Sequence, residues 1–470
     1  MESKILNRRQ FLQFSAAGTA ILLAACAPQA TQPTQAPQAE PAQAAENPTA
    51  APEATSAPTA APAEPVQLSL LLVDWNEDAR KLIDETTIPK LQQQHPGWTV
   101  TADYTDWGQL DAKVMTAFAG GLAPDLFQAD FVEFGPKYNV KGIVAELDQF
   151  VSATPGAAEK VADFYEKAIK EGATANGKLV ALPYVLDNRA LFYRKDIMKE
   201  AGLDPEKAPA GSWDEFRAAA KAMTVRDGDI FTRAGWFGNT GQFCFQIYVQ
   251  FLWQNGGAIL SDAGDKIAYD SPEALEALEF WTRLVVEDKV CPVEGMQATG
   301  DMSAMTQGLV AMGFEDYGQL LNVQKYAPDL MDSQGIAVLA QKQKASLWYA
   351  NCYILTKGPR MQQAWTLLDA LVLDDDNFRA YQEAMGGCPP RKSITATAKH
   401  ITPLYKVLIE DVMAAPGSHT TPPVPYTLEI MARIDEACQN ALYGKATPKQ
   451  ALAQAVQEGQ QIIDRNLQGS

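Results

Sequence analysis

The alternation of apolar and polar positions divides the chain after residue 65 into strands and helices. The largely apolar run VQLSLLLVDW, which begins at Val66, predicts a buried first strand. A helix is expected over residues 77–95, and the alternating segment WTVTADYTDW predicts a second strand. QLDAKVMTAFAGG is amphipathic and ends at two glycines, and PDLFQAD predicts a short third strand. This βαβαβ order indicates an α/β lobe with a mostly parallel sheet.

Capping residues mark further helices along the chain. Ser212 stands three residues before Glu215, which is the spacing of a capping box. Ser271 precedes Pro272, and Thr447 begins a similar arrangement near the C-terminus. The runs LFYRK, GLVAMGF, GIAVLA and YILTKG between these helices predict further strands. No internal repeat is visible in the sequence.

The residues before the first strand follow a different pattern. Arg8 and Arg9 precede an apolar stretch, and residues 1–25 therefore resemble a twin-arginine export signal, with a Sec signal as the alternative. The stretch ends LAAC at Cys26, which resembles a lipobox and predicts lipidation there; an incidental cysteine at a cleavage site is the alternative. Residues 26–65 are mostly Pro, Ala, Gln and Thr, and predict a disordered linker between membrane and folded part.

Composition narrows the possible functions. The 470 residues are 47% hydrophobic, which is enough for two or three lobes, and the net charge of −18 argues against nucleic-acid binding. The cysteines show no CxxC spacing and the three histidines are scattered, so we expect no metal site and no cofactor. Beyond Cys26 we interpret the cysteines as buried free thiols, although pairing stays open: Cys244, Cys291, Cys352, Cys388 and Cys438.

Acidic and aromatic residues follow the predicted strands. In open α/β sheets, ligands bind beyond the carboxyl ends of the strands. The residues there are Asp74, Trp75, Asn76, Trp107, Asp130, Phe131, Glu133, Glu315, Asp316 and Tyr317. Aromatic rings stack on the C–H face of a sugar, and carboxylates and amides bind its hydroxyls. A tryptophan is nevertheless more often a core residue, and a loop aspartate more often a turn or cap residue.

Several stretches resemble one known family, the extracellular solute-binding proteins of ABC importers, family 1, to which maltose-binding protein belongs. The most specific is NGKLVALPYVLDNRALFYRKDIMKEAGLD, with SWDEF shortly after it. TAFAGGLAPDLFQAD, FLWQNGGAIL, YDSPEALEALEFWTRLV, MTQGLVAMGFEDYG, NCYILTKGPRMQQAWTLLDALV and GGCPPRKSI are also similar to the family. Order and spacing agree over nearly all of residues 66–467.

The resemblance implies an α/β, two-lobe periplasmic-binding-protein fold. Each lobe would be a mostly parallel sheet flanked by helices, and a hinge crossed several times would join the lobes. The family pattern places the crossings near residues 182–187, 335–340 and 373–377. One lobe would be 66–182 plus 340–374, and the other 183–339 plus 375–470. Ligand would bind in the cleft and stabilise a closed form that docks on a permease.

The resemblance also selects ligand-binding positions. In the first lobe they are Trp75, Asn76, Trp107, Asp130, Phe131 and Glu133. Tyr184, Asp187 and Asn188 lie at the first crossing, with Asp187 where the maltose protein has a carboxylate. In the second lobe, Asp316 and Tyr317 stand where the family often has Gly-Pro-Trp. Tyr349 and Asn351 replace a usual glycine pair, and Arg391 is a candidate hydroxyl donor, or else a surface or interlobe arginine.

The expected function is therefore capture of a mono- or oligosaccharide between the lobes and its delivery to an ABC transporter permease. We expect a monomer with no catalytic residues, anchored by lipid to the cell membrane and facing the periplasm or cell exterior. A polyol or a sugar phosphate such as a glycerol phosphate is the alternative solute. An exported glycosidase is less favoured because no motif marks a carboxylate pair. A sensor-coupled receptor cannot be separated from a transport protein by sequence.

Overall fold

The computed structural model of the chain describes residues 65–238, 240–241 and 243–468. The predicted export signal, the predicted anchor Cys26 and the linker up to residue 64 lie outside the described residues. Within the described part, Cys244, Cys291, Cys352, Cys388 and Cys438 are buried free thiols, as interpreted from the sequence. None of the helices described there combines the length and the apolar character needed to cross a membrane.

Short strands alternate with helices along the described chain. The strands are β1 Val66–Val73, β2 Trp98–Thr105, β3 Leu126–Asp130, β4 Thr174–Ala175, β5 Lys178–Leu179, β6 Leu182–Asn188, β7 Ala190–Arg194, β8 Val225–Asp227, β9 Ile230–Arg233, β10 Met312–Glu315, β11 Gln334–Ala337 and β12 Trp348–Leu355. The predicted runs LFYRK, GLVAMGF, GIAVLA and YILTKG thus contain or overlap β7, β10, β11 and β12.

The helices are α1 Glu77–Lys81, α2 Ile88–Gln94, α3 Trp107–Ala119, α4 Phe131–Val140, α5 Asp148–Ala153, α6 Ala157–Ala162, α7 Glu166–Lys170, α8 Lys195–Glu200, α9 Trp213–Met223, α10 Phe245–Gln254, α11 Pro272–Val286, α12 Tyr317–Tyr326, α13 Met361–Leu368, α14 Asp375–Met385, α15 Lys392–Thr397, α16 Pro403–Lys406, α17 Val412–Ala414, α18 Thr427–Leu442 and α19 Pro448–Gln468. A π-helical segment, Leu82–Thr87, joins α1 to α2. The predicted caps are present: Ser212 Oγ accepts from Glu215 N at 3.2 Å, and Ser271 Oγ from Ala274 N at 3.2 Å.

The first sheet has five strands in the order β2-β1-β3-β12-β6. β1 is parallel to β2 and β3, while β12 is antiparallel to both β3 and β6. Four strands therefore run in one direction, as the βαβαβ pattern predicts. Helices cover the sheet, and Leu70, Phe127 and Leu186 are buried with Trp365 in one continuous core.

The second sheet has three strands in the order β10-β7-β11. β7 pairs antiparallel with both of its neighbours, so the expectation of a mostly parallel sheet in each lobe is wrong for this sheet. The physical reason is strand insertion: β10, α12 and β11 form a βαβ unit, and β7 enters between its two parallel strands. A separate core lies beside this sheet, where Trp236, Phe251, Trp281 and Ile434 are buried together.

The chain passes between the two sheets at identifiable points. β6 belongs to the first sheet and β7 to the second, with Arg189 alone between them. The chain returns between β11 and β12. Phe378 and Tyr405 still lie in the first core, whereas Ile430 lies in the second. The two-lobe fold is thus realised by two separate sheets.

The lobe boundaries given in the sequence analysis stay a prediction, and the sheets suggest where to move them. β6 lies wholly in the first sheet, so the first crossing is better placed at Arg189 than at residues 182–187. α14 packs against α1 and the segment Leu82–Thr87 of the first lobe, which favours a last crossing after α14 rather than near residues 373–377. We propose lobes of 65–188 plus 348–415 and of 190–337 plus 426–468.

Candidate ligand-binding site

The parallel strands β1, β2 and β3 end at one edge of the first sheet, where aromatic and acidic side chains follow them. Trp75 lies two residues after β1, Trp107 is the first residue of α3, and Asp130 is the last residue of β3. The two indole rings meet edge to face with centroids 5.7 Å apart. This edge is where an open α/β sheet binds its ligand.

Trp75 also contacts aromatic rings from two other elements. Its Nε1 donates a hydrogen bond to Tyr184 Oη on β6 at 3.1 Å. Tyr317, the first residue of α12, lies 6.3 Å from Trp75 between ring centroids. The Tyr317 hydroxyl is buried and has no hydrogen-bond partner among the described residues. Trp75 therefore joins the first sheet to the helix that follows β10 of the second sheet.

Two carboxyl groups stand at the start of α4. Asp130 caps this helix, because its Oδ1 accepts from Glu133 N at 2.8 Å. The other oxygen, Oδ2, has no hydrogen-bond partner among the described residues, and Asp130 is only 3% exposed. Glu133 accepts a hydrogen bond from Tyr349 Oη on β12 at 3.2 Å. The cap thus uses one oxygen of Asp130 and leaves its other oxygen, Oδ2, without a donor.

A second acidic group surrounds the crossing residue Arg189. Its Nη2 lies 3.2 Å from Asp187 Oδ2 on β6, and its Nη1 pairs with Asp316 Oδ2. Asp316 also caps α12, accepting from Gly318 N at 2.6 Å. Glu315, the last residue of β10, lies opposite Ala190 in the antiparallel ladder and is therefore beside Arg189. Arg189 thus forms ion pairs with a carboxylate on β6 of the first sheet and with one that follows β10 of the second sheet.

Burial raises the pKa of several of these carboxyls. The pKa of Asp130 lies well above its ordinary value because of burial first and the neighbouring Glu133 second. The pKa of Glu133 is about 7, from burial and the charge of Asp187, against the lowering effect of Tyr349. The pKa of Asp187 is about 6, where burial outweighs Arg189. The pKa of Glu315 is about 7, from burial and the adjacent Asp316.

We name this group of side chains the cleft cluster. It consists of Trp75, Trp107, Asp130, Glu133, Tyr184, Asp187, Arg189, Glu315, Asp316, Tyr317 and Tyr349. Asn351 lies opposite Asp130 in the β3–β12 ladder and so borders it. Asn188 is buried beside it, but its Nδ2 donates to the Leu408 carbonyl at 2.7 Å.

Three predicted site residues are engaged elsewhere. Asn76 caps α1 through Oδ1, and its Nδ2 donates to the Met385 carbonyl at 3.1 Å. The Phe131 ring packs against its own helix, since a Cβ added at Gly135 would lie 2.2 Å from it. Arg391 is 2% exposed and pairs with Asp163 at 3.2 Å and Asp375 at 2.7 Å. The structure does not bring these three side chains into the cleft cluster.

The positions selected from the family resemblance omit two members of the cluster, Arg189 and Glu315, although Glu315 is among the residues expected beyond the strand ends. Glu315 directly precedes a predicted site residue, and Arg189 is a charge between two apolar strands at a predicted crossing. These sequence positions mark each residue as a candidate, but only the pairing of β7 with β10 places Glu315 beside Arg189.

Comparison with known proteins identifies the family. The sequence profile described as bacterial extracellular solute-binding protein matches residues 73–377. This chain belongs to that family. A curated relative of this solute-binding protein is the sn-glycerol-3-phosphate-binding periplasmic protein UgpB of Salmonella paratyphi A. The two are 25% identical over 419 residues, which cover 80% of this chain and 88% of the relative.

Solved structures of similar proteins share the fold. An ABC transporter solute-binding protein from Thermotoga lettingae, bound with α-D-tagatose, has a TM-score of 0.71 at 25% identity, covering 85% of this chain and 100% of that one. The sugar-binding protein MalE of Xanthomonas citri has a TM-score of 0.71 at 17% identity, covering 85% and 98%. The family resemblance and the two-lobe periplasmic-binding-protein fold are therefore confirmed.

Proposed function

We propose that this solute-binding protein captures a mono- or oligosaccharide at the cleft cluster and delivers it to the permease subunits of an ABC transporter. The observation that carries the proposal is the meeting of aromatic rings and partly buried carboxyls. Trp75 contacts Trp107 and Tyr317, and Tyr317 adjoins Asp187 and Asp316. Aromatic faces stack on the C–H faces of sugar rings, and carboxylate oxygens accept hydrogen bonds from hydroxyls.

The cluster also explains how binding would couple to closure. Its members come from both sheets, so a ligand held among them contacts both lobes at once. A ligand that binds the closed arrangement more tightly shifts the population toward it. The closed form is then the one that a permease would recognise.

A glycerol phosphate is the second candidate solute, because a curated relative with 25% identity carries that name. An anion needs convergent cations or free backbone N–H groups. In the cleft cluster, however, the Arg189 guanidinium is already paired with Asp187 and Asp316. A phosphate placed there would face carboxylates, so the carbohydrate is favoured.

The test is a ligand panel on the purified full chain. It contains mono- and oligosaccharides, polyols and sn-glycerol 3-phosphate, each followed by thermal shift and calorimetric titration. A ligand at 100 times its Kd adds about 2.7 kcal/mol to the free energy of unfolding. A sugar should raise Tm, and the phosphate should not compete with it. If every sugar leaves Tm unchanged, or the phosphate alone binds, the carbohydrate proposal is wrong.

A binding role without catalysis is part of the proposal. The family is a class of binding proteins, and the acids of the cleft cluster cap helices or pair with Arg189. Incubation with aryl glycosides should release no phenol. Steady turnover that disappears in a Glu133→Gln variant would instead support a glycosidase.

Location is the remaining part of the proposal. We propose export by the signal at residues 1–25, through the twin-arginine or the Sec route, and lipidation of Cys26. The protein would then act as a monomer on the outer face of the cell membrane. The Pro, Ala, Gln and Thr composition of residues 26–65 suits a tether between the lipid and the binding lobes.

A further inference from the structure

The charges of the cleft cluster do not balance. Its acidic members are Asp130, Glu133, Asp187, Glu315 and Asp316, and its basic member is Arg189. Arg189 neutralises the pair that it contacts, Asp187 and Asp316. Asp130 and Glu133 at the start of α4 have no cation within ion-pair distance among the described residues.

In the uncompensated pair, Asp130 is buried, Glu133 is partly buried, and one oxygen of Asp130 lacks a hydrogen bond. Asp130 is only 3% exposed, and its Oδ2 atom is buried without a hydrogen-bond donor. Asp187 Oδ1 is also buried and without a donor. A buried acceptor that lacks its donor costs free energy unless a ligand supplies one. Two acceptor positions are therefore ready for N–H or O–H groups of a ligand.

The pairing of β3 and β6 with β12 sets the distance between the backbone positions of Asp130 and Asp187. Asp130 lies opposite Asn351 on one side of β12, and Asp187 lies opposite Tyr349 on the other side. Neighbouring strands are about 4.8 Å apart, so the Cα atoms of the two aspartates, two strands apart and offset by two residues, are separated by about 12 Å. Both aspartates lie on the same face of the sheet, because their partners Asn351 and Tyr349 are two residues apart on β12.

Other groups facing Glu133 do not supply the missing positive charge. Tyr349 donates its hydroxyl from β12, Asp187 adds negative charge from β6, and Asp435 adds negative charge from α18. Arg189 acts on Glu133 from the crossing, but its guanidinium is bound to Asp187 and Asp316. The surroundings of Glu133 are thus acidic on two elements, β6 and α18.

We infer that the solute is a carbohydrate that carries a protonated amine, with the ammonium group held by Asp130 and Glu133. This inference rests on the proposed carbohydrate function and specifies its substrate class. The ammonium supplies three N–H donors, which is enough for Asp130 Oδ2, a Glu133 oxygen and one further acceptor. The rings of Trp75, Trp107 and Tyr317 would stack on the sugar.

A neutral sugar would leave this part of the cluster unsatisfied. It would displace water from two carboxyls without bringing a countercharge, and both would then have to hold protons. An ammonium allows both to ionise and forms charge-assisted hydrogen bonds with them, each stronger than a bond to a neutral hydroxyl. We expect an affinity about 10- to 100-fold higher for the amine than for the matching hydroxyl sugar.

The experiment compares ligands that differ at a single substituent. Glucosamine, galactosamine and mannosamine are titrated into the full chain at pH 6, together with the N-acetyl form and the parent hexose of each, and the disaccharides of the glucosamine series. Spermidine is included as a cation without a sugar ring. The free amines should bind most tightly, and acetylation, which removes the charge and keeps the ring, should abolish the preference.

Any other binding result contradicts either the inferred amine or the proposed carbohydrate function. If a neutral or acetylated sugar binds as tightly as its amine, the inference is wrong and the carbohydrate function stands. If spermidine alone binds, or nothing in the set binds while glycerol 3-phosphate does, the carbohydrate function itself is wrong. Calorimetry in two buffers of different ionisation enthalpy adds a second reading: an amine should release protons from the carboxyls at pH 6, and a neutral sugar should not.

Variants locate the amine on the protein. Glu133→Gln keeps an oxygen for Tyr349 and removes the charge, so it should lower amine affinity at least tenfold and lower the affinity of the parent sugar by a smaller factor. Asp130→Asn should do the same while retaining the helix cap. Asp214→Asn on α9 is the matched control, because it removes an exposed carboxylate and should change neither affinity. Equal losses for amine and parent sugar would contradict the assignment.

Discussion

At the residue scale, Trp75 connects more of the site than any other side chain described above. It meets Trp107 edge to face at 5.7 Å, donates to Tyr184 at 3.1 Å and lies 6.3 Å from Tyr317. It is only partly buried, so part of the ring remains available to a ligand. A half-exposed indole held by three neighbours is a rigid stacking surface.

Replacing Trp75 with alanine should therefore lower ligand affinity by about 10- to 100-fold, since stacking and apolar contact of one ring contribute about 1.5–3 kcal/mol. Calorimetric titration measures this. Trp98→Ala is the matched control: Trp98 is also partly buried and stacks on His95 at 4.1 Å, but it begins β2 at the opposite edge of the sheet. It should lower Tm and leave affinity unchanged. Equal affinity losses in both variants would remove Trp75 from the site.

The raised carboxyl pKa values give a second prediction at this scale. A folded-state pKa of about 7 for Glu133 means that the folded protein keeps a proton which the unfolded chain releases near pH 4.5. This group's contribution to stability is therefore full below pH 4.5 and is lost as pH rises to about 7. Glu133→Gln cannot lose that proton, so its Tm relative to the unaltered protein should rise between pH 4.5 and pH 8.

The measurement is a pair of thermal melts at each pH, because the difference between the two proteins cancels titration elsewhere in the chain. Tyr349 can still donate to the glutamine oxygen, which keeps the local packing. A Tm difference that stays constant from pH 4.5 to pH 8 would mean that Glu133 titrates normally.

At the element scale, the small-residue turn after α14 lets two elements approach closely. Gly386 adopts a left-handed backbone conformation with φ of 69°. A Cβ at this position would lie 2.2 Å from Leu321 Cδ2 on α12. α12 is the helix that begins with Tyr317, so the turn helps to set the position of that ring.

Gly386→Ala should combine backbone strain with displacement of α12, and should weaken ligand binding as well as lower Tm. Gly444→Ala is the control for strain alone. Gly444 has φ of 67°, and a Cβ there would have nothing within 4 Å. Both variants should lose about 1 kcal/mol of stability from the left-handed conformation. If Gly386→Ala binds ligand as well as Gly444→Ala does, the turn does not position α12.

At the scale of the whole molecule, the binding lobes are acidic and the predicted attachment to the membrane rests on one residue. A net charge of −18 disfavours adsorption to anionic lipid surfaces. Stable membrane association would then need the acyl chains attached at Cys26.

Cys26→Ser should move the protein from the membrane fraction to the soluble fraction without changing ligand affinity. Fractionation followed by immunoblotting measures the first, and calorimetry the second. Cys291→Ala is the matched control, since it removes a buried thiol of the second core and should leave the protein on the membrane. Full membrane retention of Cys26→Ser would contradict the anchor.

The sequence by itself determined the local elements, the caps, the family and most residues at the strand ends. Hydrophobic periodicity and capping hydrogen bonds depend on residues a few positions apart, so Ser212, Ser271 and the run before Trp75 reveal them directly. The acidic and aromatic character of the site was also predicted, because parallel strands must end at a common edge.

Only the tertiary structure decided which of these side chains meet. The insertion of β7 between β10 and β11 brings Glu315 beside Arg189, and Arg391 pairs with Asp163 and Asp375 instead of facing the cleft. Neither follows from local pattern, because strand order and ion pairing join residues more than a hundred positions apart or on unrelated elements. The raised carboxyl pKa values have the same origin: burial of Glu133 and Asp187 is produced by segments distant in sequence.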